Sequence, residues 1–259
     1  MSDVTFYAGA HTDDVLLFRG ENLFTDLHTP DVRTVHVVLT ADDAGRTDGW
    51  WEAHEAACIE SMAGTLTPGE PRSDRATVNG HSIQRFSGPT WVVYGMRVPD
   101  GNVDGEGFQS TGFRTLGKLR SGEIAALAAI DGSTTYDGWD DFVTTLRGIV
   151  SSERGATERP WITTADHDRA LNPGDHPDHY AGAEAVLEFA EADGLKREWW
   201  VSYDVRDREA NLVGRPLDIK WFLFRLYGWK NDELIGAPPN EEEWDWWGAR
   251  SYARTEGDG

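Results

Sequence analysis

Blocks of apolar residues with strand-like or helix-like period alternate along the chain. Residues 4–8 form a short apolar run, Val4-Thr5-Phe6-Tyr7-Ala8, closed by Gly9-Ala10, which predicts a buried strand. Residues 31–40 are the strongest strand signal, rich in β-branched side chains and followed by the turn-forming Ala41-Asp42-Asp43-Ala44-Gly45. Residues 50–62 place Trp51, His54, Cys58 and Met62 at helical spacing. Residues 90–98 predict another strand, stopped by Pro99-Asp100-Gly101. Residues 140–152 carry Phe142, Val143, Leu146, Ile149 and Val150 on one helical face. A short strand is expected at 161–164. A helix N-capped by Asp175 should run through His179 to about residue 192, and a last strand is expected at 199–205.

Strands alternating with helices predict an α/β fold, a Rossmann-like, mostly parallel sheet with helices on both faces. No repeat or low-complexity linker divides the chain. The expectation is one domain over 1–259, with a core at about 4–205 and a C-terminal extension at about 206–259 that packs back on it. The Gly-rich polar stretch 101–120 fits either a functional loop or a plain surface connection.

Composition narrows the functional classes. Lys and Arg number 24 against 45 Asp and Glu, a formal charge of -21. Binding to nucleic acid by phosphate neutralisation, or to an anionic membrane surface, is therefore not expected. A solvated acidic surface accounts for the charge, which also suits a cationic substrate or a salt-rich cell. The single cysteine, Cys58, excludes an internal disulfide framework and a Cys-rich zinc site. No apolar run approaches the ~20 residues of a membrane-spanning helix. The first residues lack a basic and apolar leader pattern, so a soluble, cytoplasmic protein is expected. Most of the twelve tryptophans are expected in core packing, although their clusters at 50–51, 199–200 and 244–247 also suit stacking on sugar rings.

Open α/β sheets bind ligands beyond the carboxyl ends of their strands. Two such ends are dense in polar chemistry: Ala10-His11-Thr12-Asp13-Asp14 and Asp175-His176-Pro177-Asp178-His179. A catalytic zinc takes three ligands from His and carboxylate and keeps one open position. His11 and Asp14 lie three residues apart, on a turn that can aim both at one point, and His179 supplies the third ligand across the sheet. Asp13 then stands beside the metal as a general base. His176, as an imidazolium, would stabilise the oxyanion and protonate the leaving amine. Asp178 would orient a histidine. Iron(II) suits the same ligand set as Zn2+. His36 is expected as a core or surface residue, and His28 and His81 as loop residues.

The His11-Thr12-Asp13-Asp14 turn and the His176-Pro177-Asp178-His179 motif resemble those of the PIG-L (LmbE-like) N-deacetylases. The resemblance spans roughly residues 4–205. It includes the Val37-to-Gly45 strand and loop, the Trp50-Trp51 and His54-Glu55 helix (where Arg-Glu is more usual) and Arg97-Val98-Pro99-Asp100-Gly101. It implies a zinc-dependent N-deacetylase acting on an N-acetylated amino sugar, such as an N-acetylglucosamine-containing metabolite, a small-molecule partner. It also implies His11, Asp14 and His179 as ligands, Asp13 as base, and His176 with Asp178 as the electrostatic pair. Two positions depart from the family: Thr12 stands where Pro is usual and Val15 where Glu is usual. The alternatives are a metal-dependent amidase for another N-acyl metabolite and a carbohydrate-binding homologue without turnover.

Overall fold

The computed structural model describes residues 3–66 and 70–256. Its centre is an eight-stranded sheet in the order β10-β9-β8-β1-β2-β5-β4-β3. The strands are β1 (Asp3–Gly9), β2 (Val32–Thr40), β3 (Arg72–Val78), β4 (His81–Ser87), β5 (Trp91–Val98), β8 (Trp161–Ala165), β9 (Lys196–Trp200) and β10 (Ala253–Glu256). A separate small pair joins β6 (Leu127–Ala128) to β7 (Thr135–Tyr136). Pairing is parallel through β9, β8, β1, β2 and β5, and antiparallel only at the two edges. The mostly parallel α/β fold expected from the sequence is therefore the one adopted.

Helices cover both faces. On one face lie α3 (Leu116–Ser121), α4 (Trp139–Glu153) and α5 (Pro177–Ala190), and the core there includes Phe6, Val35, Phe142, Leu146, Val186 and Phe189. On the other lie α1 (Asp14–His28), α2 (Trp50–Ala63) and α6 (Arg215–Ile235), packed through Leu16, Phe18, Met62, Leu223 and Phe224. Trp199 and Trp200 are both wholly buried, and successive strand side chains point to opposite faces, so each closes one of the two cores. The C-terminal residues pack on the sheet: α6 lies across α1 and α2, and β10 extends the β9 edge. No helix among the described residues is long and apolar enough to cross a membrane.

Four local expectations need correction. The last expected strand lies earlier, at Lys196–Trp200, because the chain turns after Val201 into a 3-10 segment, Tyr203–Asp207. The cap of α5 is His176, whose ring nitrogen accepts from the Asp178 N–H, and Asp175 is left for another task. His28 is the last residue of α1. His81 opens strand β4, where its ring stacks on Tyr136 and bonds Thr134 and Asp141. The β3–β4 hairpin itself is carried by Asn79-Gly80, both at positive φ (50° and 83°), the backbone that a tight two-residue hairpin turn demands.

Lys220 of α6 is fully buried, and its ammonium nitrogen donates to the Trp247 and Arg250 carbonyls at 3.1 and 2.6 Å. Burial pushes its pKa down to about 7. The unfolded chain, with an ordinary lysine near ~10.4, then binds more protons than the folded one between these values. Stability conferred through Lys220 should rise with pH across that window. In urea melts, the stability of Lys220→Met minus that of the unmodified protein should fall as pH is raised from about 7 to about 10. A difference independent of pH would show that Lys220 is charged in the folded state.

Candidate metal centre

β1 is the point where strand order reverses, with β2 on one side and β8 on the other, so a crevice opens beyond its carboxyl end. His11 and Asp14 leave β1 there on the turn into α1. The His11 N–H donates to Asp14 Oδ2 at 2.8 Å, which folds the turn so that both side chains face one point. α5 enters from across the sheet and brings His179. Three atoms converge: His11 Nδ1 to His179 Nε2 is 3.2 Å, His179 Nε2 to Asp14 Oδ1 is 2.9 Å, and His11 Nδ1 to Asp14 Oδ1 is 3.5 Å. Ligand atoms ~2.0–2.2 Å from a tetrahedral ion stand about 3.3–3.6 Å apart, so this triangle fits a metal after only slight spreading.

The surrounding hydrogen bonds select the ligating tautomers. His179 Nδ1 donates to Asp175 Oδ1 at 2.7 Å, and the other Asp175 oxygen accepts from Ser202 Oγ at 2.9 Å. In the neutral ring this leaves the His179 Nε2 lone pair for the triangle. His11 Nε2 has no hydrogen-bond partner and lies 3.6 Å from Asp178 Oδ2, so a small closure would make that carboxylate its acceptor. A carboxylate behind each ligating histidine is the usual support of a zinc site. Asp178 is itself held by the Gly101 N–H at 2.7 Å. Only glycine fits there, because a Cβ on Gly101 would lie 2.5 Å from Asp178 Oδ1.

Charge accumulates without a metal. Burial opposes ionisation at all three positions, yet the two imidazoles hold Asp14 well below the usual carboxylate range, and Asp14 with Asp175 pushes His179 up to about 10. Asp14, helped by Asp178 and Asp100, likewise raises His11 well above its ordinary value despite burial.

Asp13 lines the cleft beside the triangle. Burial, with the Asp42 and Asp14 carboxylates, raises its pKa well above the ordinary range. The pKa of His176 moves in the other direction. Burial and the neighbouring His11 charge push it down to about 3, and its Nδ1 accepts from the Asp178 N–H at 3.2 Å. An Nδ1 that accepts leaves the ring proton on Nε2, which lies 4.0 Å from Asp100 Oδ1.

Several residues here escape pattern reading. Asp100 is 7% exposed, raised by burial to about 6, and held by its N–H donating to Asp43 Oδ1 at 2.8 Å. Its signals were the Pro99-Asp100-Gly101 stop at a strand end and the likeness of Arg97-to-Gly101 to a family segment, neither of which gave it a role. Thr12 uses the hydroxyl that a proline would lack: it donates to Asp42 Oδ2 at 2.5 Å and meets Tyr227 of α6 at 2.6 Å. His54 Nδ1 joins the same group, 3.0 Å from Asp42 and 2.9 Å from the Tyr227 hydroxyl. Val15 is 1% exposed in the apolar core under α1, a place hostile to an unpaired glutamate.

The cleft above the triangle has a volume of about 440 Å³. Trp50, Tyr203, Tyr227 and Trp247 give it aromatic walls, and α6 with the following 237–243 segment forms its far side. Tyr203 and Trp247 stack at 4.8 Å.

No protein-family model and no curated protein matches the sequence. Solved structures do match. A triple mutant of a deacetylase involved in the teicoplanin biosynthetic pathway is 12% identical over 90% of this chain and 84% of its own, with a TM-score of 0.51. The antimicrobial reagent A40926 pseudoaglycone deacetylase is 12% identical over 98% of this chain and 95% of its own, with a TM-score of 0.50. A deacetylase–teicoplanin complex is 10% identical over 90% and 88%, also at 0.50. At such identities the likeness establishes the fold: this chain is built on the α/β fold of these deacetylases.

Proposed function

We propose that the protein is a metal-dependent N-deacetylase that hydrolyses the amide of an N-acetylated amino sugar or sugar-containing metabolite. The observation that carries this reading is the convergence of His11 Nδ1, Asp14 Oδ1 and His179 Nε2 at the floor of a cleft, with Asp13 beside them and outside the triangle. Two imidazoles and a carboxylate suit Zn2+ or Fe2+. Such an ion supplies Lewis-acid polarisation of the carbonyl and a more acidic water.

The chain's own residues do the rest. Water attacks the amide carbon while Asp13 takes its proton. His176, held neutral, donates its Nε2–H to the oxygen that gains charge. Asp13 then passes the proton to the departing nitrogen as the C–N bond breaks, giving acetate and a free amine. The neutral His176 changes the division of labour expected from sequence: it steadies charge, and Asp13 serves as base and afterwards as acid.

The test is metal content together with acetate release. Protein loaded with Zn2+ or Fe2+ should bind about one ion per chain and liberate acetate from at least one member of a panel of N-acetylated amino sugars. Chelation should stop the release and added metal restore it. A loaded protein that binds these sugars and releases no acetate from any of them would refute the catalytic reading.

A further inference from the structure

Five carboxylates line the cleft: Asp13, Asp14, Asp42, Asp100 and Glu243. Among the described residues no lysine or arginine lines it. Arg46 stacks on Trp50 but is paired with Asp48 at 2.6 Å. A divalent ion in the triangle would be held by Asp14 alone of the five, and the other four carboxyl groups would still offer only oxygens to a ligand.

A second, independent feature lies on α6. Asn231 lines the cleft at 4% exposure, and its Oδ1 has no hydrogen-bond partner. A buried amide oxygen without a donor is costly, so its position asks for a donor from a ligand. Glu243, on the segment after α6, also lines this cleft. Burial and the Asp42 charge raise its pKa, a crowding that a cation relieves.

We propose that this cleft selects a substrate that carries a free ammonium group besides its N-acyl group, with the ammonium held by Glu243 and Asn231 while the acyl group lies at the His11–Asp14–His179 floor. This rests on the deacetylase reading for the acyl end and on the acceptor-only lining for the other. Anionic substrates, such as sugar phosphates, meet no cationic side chain there and are rejected by like charge.

Binding and turnover separate the two claims. Three disaccharides without any N-acyl group serve as binding probes for the Zn2+-loaded protein: glucose linked to glucosamine, to glucose and to glucuronic acid. Calorimetry should find the glucosamine compound at least about tenfold tighter than the neutral one, the order of one charged hydrogen bond, with the glucuronate weakest. Glu243→Gln, isosteric and half-exposed, should remove most of that preference, and added salt should shrink it. Asn231→Leu should weaken the glucosamine compound too. Equal binding of the three, or a preference that Glu243→Gln leaves intact, overturns the inference. In the N-acetylated versions, Glu243→Gln should raise KM for the ammonium-bearing substrate with kcat held. Charge-selective binding without acetate release from any substrate would sustain the ammonium subsite and overturn the deacetylase reading together with the acyl placement that rests on it.

Discussion

Asp13→Ala is expected to keep the bound metal and lower turnover by about 10²–10⁴-fold, the usual worth of a positioned general base. The structure lets this substitution isolate chemistry. Asp13 is the N-cap residue of α1, yet its side chain makes no capping hydrogen bond, so alanine removes no support from the helix. Burial and the carboxylates of Asp42 and Asp14 crowd it, so its loss relieves repulsion. Asp14, the proposed ligand next to it, keeps its own bond from the His11 N–H. Melting temperature should therefore match or exceed that of the unmodified protein, and metal content should match it, while kcat falls. Metal lost in proportion to activity would make Asp13 a ligand, and the roles of the two aspartates would have to be exchanged.

Much of this was legible in the chain. The β-branched run before Ala41 and the helical face from Phe142 to Val150 are local signals, and the structure keeps both as β2 and α4. The triangle was legible because a short turn and one α5 residue supply all its donors. What stayed hidden depends on partners far apart in sequence. Asp175 looks like a helix cap until Ser202, brought close after β9, takes its second oxygen and leaves the first for His179. Thr12 looks like a departure from a family motif until Tyr227 arrives from α6, 215 residues on. The hairpin β3–β4 is polar and half-exposed, with little periodicity for an apolar pattern to find, although its Asn79-Gly80 turn was in plain sight. The downward pKa shift of His176 could not be read from the sequence, because burial and the neighbouring His11, 165 residues away in sequence, set it.

His179→Ala is expected to empty the metal site, leaving no stoichiometric ion after dialysis and no measurable acetate release. Removing it takes one of three protein donors and leaves His11 Nδ1 and Asp14 Oδ1 as a two-ligand remnant. The same change also deprives Asp175 of its buried partner, so stability must be followed alongside metal content. Asp175→Asn provides the graded control. It leaves all three donors in place and weakens only the carboxylate support of His179, so metal affinity should drop by about 10–100-fold without vanishing. Proton release gives a separate readout. In the metal-free protein Asp14 and Asp175 hold the His179 pKa up to about 10, against the cost of burial, so the ring must shed a proton before it can ligate. Metal affinity should thus fall as pH is lowered, and calorimetry in buffers of different ionisation enthalpy should record protons released on binding. His179→Ala protein that retains full, stoichiometric metal would place the ion elsewhere. His11, Asp100, His176 and Asp178, whose donor atoms lie within 4.8 Å of one another, would then be the site to examine.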